Sequence, residues 1–176
     1  MSSFNFPIPA PVAQILSECR NIGICGSRML VPIPYIWDPF VAAIPKGVSI
    51  SCGCVGGVCE LVRSTFFEVS VFRASVFGFG VQSFVRRSVA LVQSVANSER
   101  PLWVSFPGFK CPVGLVPHCN SSACFNGGGS GSWASLAFAI GSGIPALVYL
   151  GPSDVSPPGW QLIHLGSGWF FHPSVI

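Results

Sequence analysis

Residues Asn126–Pro145 read NGGGSGSWASLAFAIGSGIP. The stretch admits three readings: part of a membrane span, a flexible linker, or a glycine-rich loop that opens a helix. No Lys, Arg, Asp or Glu occurs between Lys110 and Asp154, as a span would require. A span also needs about 20 consecutive apolar residues. Gly141, Ser142, Gly143 and Pro145 interrupt the uncharged run Trp133–Leu150. A glycine cluster followed by proline marks the end of a helix and a new start. The stretch therefore reads as a loop over Gly127–Ser132, a helix over Ser132–Ile140, a turn, and a strand over Ala146–Leu150.

Working outward, the same alternation recurs. Asn21–Gly26 is a short apolar strand, Tyr35–Ile44 a short helix, and Val48–Cys52 a second strand rich in β-formers. Gly53–Gly57 is a glycine loop and Val58–Phe67 a helix. Glu68–Phe77 reads as a third strand, broken by Gly78, Phe79 and Gly80. Gln82–Asn97 places Phe84, Val85, Val89, Leu91, Val92 and Val95 at helical spacing. Leu102–Phe106 is a fourth strand, Pro107–Phe125 a long loop, and Ala146–Leu150 the fifth strand. Gln161–Leu165 and Trp169–His172 flank Gly-Ser-Gly as a hairpin. Five strand–helix alternations predict an α/β fold: a Rossmann-like, doubly wound, mostly parallel sheet of about five strands with a C-terminal hairpin extension. The expected organisation is an extended arm over residues 1–20, a binding domain over 21–151, and an extension over 152–176.

Composition agrees with a buried sheet. Of 176 residues, 50% are hydrophobic and 9% charged, against about 25% charged in ordinary domains. Strands of a parallel sheet are covered on both faces and need no polar side. The net charge of +3 does not by itself argue for nucleic acid. The first residues lack the basic start and continuous apolar run of a signal peptide. Eight cysteines without an export signal point to free thiols in a reducing cytoplasm. Cys52, Cys54 and Cys59, and likewise Cys111, His118, Cys119 and Cys124, contain no CxxC pair and read first as buried thiols, with a zinc staple of the Cys111–Cys124 loop as the alternative. His118, His164 and His172 are the only histidines, and the sequence does not put them beside a nucleophile.

Three glycine loops fall at strand ends, where open α/β sheets bind ligands. They are Gly26-Ser27-Arg28, Gly53–Gly57 and Gly127–Ser132. Glycine lets backbone N–H groups approach a ligand, and a helix N-terminus adds free donors and partial positive charge suited to phosphate. Arg28, and Arg86-Arg87 beside Ser88, sit at loop–helix junctions, where an arginine fork suits phosphate. Trp133, just past the third loop, is a candidate to stack on a base. Neither a P-loop nor a dinucleotide fingerprint is present.

The order GICGSR, SISCGCVGGV, SVFRASVFGFG, FVRRSVALV, LWVSFP and GGGSGSWASLAFAIGSGIPALVYL resembles the SLOG superfamily of Rossmann-like domains. That group takes in the DNA-processing protein A (Smf), YspA-like and LOG-type phosphoribohydrolase branches. The resemblance runs from about Asn21 to Leu150 and is nearest the DNA-processing and YspA-like branch. It implies ligand binding by Gly26, Ser27 and Arg28, by Gly53, Gly56 and Gly57, by Arg86, and by Gly129, Ser130, Gly131 and Ser132. The candidate site joins to these Arg87, Ser88, Gly128 and Trp133. Two positions depart from the pattern. Cys59 follows Gly57-Val58 where an Asp is usual, and Ser135 stands where the phosphoribohydrolases carry glutamate. The expectation is a nucleotide or nucleotide-derived ligand, held without a cofactor or metal by a non-catalytic sensor or accessory protein. Single-stranded DNA binding is the first alternative and a phosphoribohydrolase-like enzyme the second. No membrane partner is expected, and the apolar composition makes a homo-oligomer a further expectation.

Overall fold

A computed structural model describes residues 8–174. Its strands are β1 (Asn21–Gly26), β2 (Ser49–Gly53), β3 (Ser70–Phe72), β4 (Pro101–Phe106), β5 (Ala146–Tyr149), β6 (Ile163–Gly166) and β7 (Trp169–His172). Its helices are α1 (Ala10–Glu18), α2 (Pro34–Ala43), α3 (Val58–Thr65), α4 (Val81–Ala96), α5 (Ser121–Cys124) and α6 (Gly131–Gly141). One mixed, mostly parallel sheet carries all seven strands in the order β3-β2-β1-β4-β5-β7-β6. β1 to β5 are parallel, while β7 pairs antiparallel with both β5 and β6. The expected count of five is thus exceeded: the predicted hairpin does not stand apart but extends the sheet beyond β5.

Alternation along β1 and β4 separates the core into two layers. Ile22 and Ile24 pair with Leu102 and Val104, and all four face a cluster completed by Val12 and Leu16 of α1, Trp37 and Phe40 of α2, and Val58 and Val62 of α3. Cys25 and Trp103 face the opposite cluster, with Leu91, Val92 and Val95 of α4 and Trp133 and Leu136 of α6. Both sheet faces are therefore roofed by helices, which accounts for the scarcity of charge.

The decisive segment forms a loop, a helix and a turn that leads into β5. Every residue of α6 from Ser132 to Ile140 is buried, as expected of a helix that is apolar all round. Among the described residues no helix is long and apolar enough to cross a membrane.

Two expectations need correction. Residues 10–18 are helix α1, not an extended arm; residues 1–7 lie outside the described part. Pro9 at the N-cap and Pro11 in the first turn suit a helix start, where a missing N–H costs nothing. The third strand spans only Ser70–Phe72, because its partner β2 ends at Gly53, opposite Phe72. Beyond that point Ala74 N–H turns to the Cys54 sulfur at 3.3 Å, and Ala74–Phe77 closes into a 3-10 turn.

Gly23 sits under the Trp103 indole. A Cβ there would lie 2.5 Å from Trp103 Cε3 and 3.0 Å from Val95 Cγ2. Gly23→Ala overpacks the centre of the sheet and is expected to cost about 1–3 kcal/mol. Urea unfolding should show a lower midpoint with an unchanged slope, and an unchanged midpoint would refute this packing.

Candidate functional site

The chain runs outward from β1 through β2 to β3, then crosses to the other side of β1 for β4 and β5. Connections leave the sheet in opposite directions at the carboxyl ends of β1 and β4, which opens a crevice there. A cleft of about 800 Å³ occupies this crevice, within the usual range for small-molecule sites.

Each wall comes from a strand end or a helix start. β1 contributes Cys25, Gly26 and the following Ser27 and Arg28. β2 contributes Gly53, α3 Cys59, and α4 Phe84, Arg87 and Ser88. Phe109 and Lys110 come from the loop after β4, and Gly128–Ser132 from the loop that opens α6. Three cations, Arg28, Arg87 and Lys110, line the cleft, and no Asp, Glu or His does.

The third glycine loop lines the cleft. Asn126 Oδ1 accepts from Gly128 N–H at 2.9 Å, which bends the loop. Ser130 and Ser132 hydroxyls share a hydrogen bond of 2.7 Å. No side chain caps α6, so the donors of its first turn remain available at the cleft. Ser135 Oγ donates back to Gly131 O at 2.8 Å.

Arg87 is the unusual member. It is only 7% exposed, its buried Nε has no hydrogen-bond partner, and no described carboxylate pairs with it. Its guanidinium lies against Gly53, where any Cβ would collide with Nη1. Gly53 is thus a seat for the arginine rather than a ligand cradle. A buried, unpaired cation is costly, and here it faces a cleft without counter-charge.

The other predicted residues take different places. Arg86, one helix position earlier, points away: it is exposed, off the cleft, and its Nη1 donates to Phe77 O at 3.4 Å. Arg28 is exposed at the mouth, with its guanidinium 5.1 Å from the Phe84 ring centre. Ser27 lines the cleft but accepts from Met29 and Leu30 N–H at 3.1 and 2.9 Å, holding its own loop together. Gly57, at φ +68°, lies off the lining and lets the Ser27 carbonyl reach Val58 N–H at 3.0 Å. Gly56 is also off the lining. So is Trp133, whose ring is buried edge-on against Trp160 at 5.1 Å while Nε1 donates to Phe109 O at 2.7 Å. Trp133 is core.

Sequence reasoning overlooked Cys25, Cys59, Phe84, Phe109 and Lys110 as walls. Lys110 carried a signal, being the last charge before the uncharged stretch. The thiols beneath the cleft differ in chemistry. Burial pushes Cys25 up to about 12. Cys59 is shifted down: its side-chain contact with Cys52 lowers it most, burial opposes that, and the Gly53 backbone and the fields of Arg87 and Arg63 lower it further. Cys52 is shifted up by the same contact and by burial.

The loop cysteines do not converge. His118 Nδ1 accepts from Asn120 N–H at 2.9 Å and Cys124 Sγ donates to His118 O at 3.4 Å. Among the described residues no group of three or more His, Cys, Asp or Glu could hold a metal ion.

No protein-family model matches the chain, and neither the curated proteins nor the solved structures give a match.

Because Arg87 is buried without a partner, Arg87→Met should stabilise the protein in phosphate-free buffer, by about 1–3 kcal/mol. Urea unfolding in a buffer without multivalent anions measures this. A loss of stability would show that the guanidinium has its partners within the fold.

Proposed function

We propose that the cleft binds a nucleotide or nucleotide-derived ligand through its phosphate, and that the protein is a sensor or accessory rather than a catalyst. The observation that carries this reading is Arg87: a buried guanidinium with an unpartnered Nε, facing an 800 Å³ cleft that holds two further cations and no carboxylate. An anion would supply the missing partner, and an arginine fork matches phosphate oxygens. The uncapped start of α6 and the Gly128–Ser132 backbone add donors on the opposite wall. Phe84 and Phe109 offer apolar surface for a base. The strand order β3-β2-β1-β4-β5 suits a Rossmann-like domain and supports kinship with the SLOG superfamily.

The chemistry of the walls favours holding over cutting. Glycosidic or phosphate-ester hydrolysis calls for a positioned acid or base, and no Asp, Glu or His is among the lining residues. Arg87, rather than the motif-matching Arg86, is the residue that carries the phosphate in this reading.

Thermal melting with inorganic phosphate and a panel of mono- and dinucleotides tests the proposal. A nucleotide at about 100 times its Kd should add about 2.7 kcal/mol of stability. Arg87→Gln should weaken it at least about tenfold, and Arg86→Gln should leave it within about twofold, given that a charge-assisted bond is worth about 1.5–3 kcal/mol. No response to any nucleotide overturns the reading. Tighter, steeply salt-dependent binding of single-stranded DNA would favour a DNA-processing role instead.

A further inference from the structure

The cleft has a rim that a phosphate and a base do not account for. Met29, Val81, Phe109 and Val113 all line it, and they are 78, 78, 59 and 106% exposed. Large apolar side chains exposed singly on a surface are ordinary, but a cluster of them marks a binding surface. These come from the loop after β1, the start of α4 and the loop after β4, and they border one cavity. The lining also runs inward to buried Leu91 and Leu115.

The segments that carry the rim are packed on one another. A Cβ on Gly108 would stand 2.5 Å from Ser27 Oγ and 2.9 Å from Leu30 Cβ, so the loop after β4 lies directly on the loop after β1. A Cβ on Gly129 would stand 2.9 Å from Pro112 Cγ, so the loop that opens α6 lies on the same segment further along. Arg28 reaches across to the Phe84 ring on α4. The exposed apolar surface is thus held in place beside the cations of the cleft.

Side chains able to read a base or a sugar are scarce there. Asn126 is the one side-chain amide in the lining, and both its ends are engaged, Oδ1 by Gly128 N–H and Nδ2 by Ala123 O. Ser130 and Ser132 bond each other, and Ser135 bonds its own helix. No carboxylate in the lining could accept from sugar hydroxyls. Beyond its anionic end, a ligand in this cleft meets mainly hydrocarbon.

We propose that the ligand of the cleft is a phosphate compound that carries a flexible hydrocarbon chain, with the phosphate at Arg87 and the chain along Met29, Val81, Phe109 and Val113. An acylated nucleotide and an alkyl phosphate share this chemistry. The inference rests on the phosphate half of the reading above and not on its nucleotide half. The cations hold the anion. The chain and the rim cover each other's apolar surface, which both otherwise present to water.

The test is calorimetric titration of the full chain with butanoyl- and octanoyl-coenzyme A, and with butyl and octyl phosphate, each below the concentration at which it aggregates. Half-burial of a methylene group tightens binding about twofold, so the four added in each series should tighten it by about tenfold or more. A gain in the coenzyme A series alone identifies an acylated nucleotide, and a gain in the alkyl phosphate series identifies a head that needs no nucleotide; both support the proposal. Equal affinity for short and long chains in both series overturns it, even where nucleotides bind. So does the absence of binding in both. A response to octyl phosphate and to no nucleotide overturns the nucleotide reading alone. Met29→Gln combined with Val113→Gln, both on the surface, should bring the long-to-short ratio down to about twofold or less. Phe67→Gln, at a residue 101% exposed and outside the lining, should preserve the ratio. An equal fall in Phe67→Gln would mean general adsorption and overturns the assignment of the rim.

Discussion

Strand β1 is bonded on both edges and covered on both faces, and the rest of the molecule is arranged to satisfy it. Its edges pair with β2 and β4. Its upper and lower side chains belong to different core layers. A strand in that position has no polar face to offer, so it must be short, apolar and closely packed. Gly23 takes the closeness furthest, with a tryptophan ring where a side chain would stand. Because β2 and β4 flank β1 while their connections leave in opposite directions, the sheet opens a cleft at the carboxyl end of this strand. The binding chemistry is there because the topology leaves a gap there.

What lies in that gap is a cation that no carboxylate among the described residues pairs with. Arg87 comes from α4, crosses above Gly53 and remains buried with an unsatisfied Nε. The field of the same cation lowers the Cys59 thiol.

The C-terminal segment shows how apolar composition turns into architecture. The hairpin β6–β7 adds two strands beyond β5 and brings Trp169 and Phe170 into the two layers. Trp160, from the turn before it, packs on Trp133 and donates to Leu115 O at 2.8 Å. Ser174 Oγ donates to Ile140 O at 3.0 Å near the end of α6. This covering is why α6 is apolar on every side, and why its uncharged sequence resembled part of a membrane span.

Local chemistry in the sequence was enough for the alternation of strands and helices, for the glycine loops at strand ends, and for reading residues 126–145 as loop, helix and turn. Those features depend on periodicity and on backbone freedom, both written residue by residue. It was not enough for α1, where proline suits a helix start as well as an extended chain, nor for the length of β3, which is set by where its neighbour ends. Nor could it separate Arg86 from Arg87. One helix step turns a side chain by about 100°, and only the packed sheet decides which of the two points to solvent and which is buried over Gly53. The same holds for the glycines and thiols: Gly53 seats an arginine, Gly57 clamps a loop, and Cys59 differs from Cys25, because of what other elements bring beside them. The chain alone determined where the cleft lies along the sequence; the tertiary structure decided which atoms face into it, because that depends on contacts between residues far apart in the chain.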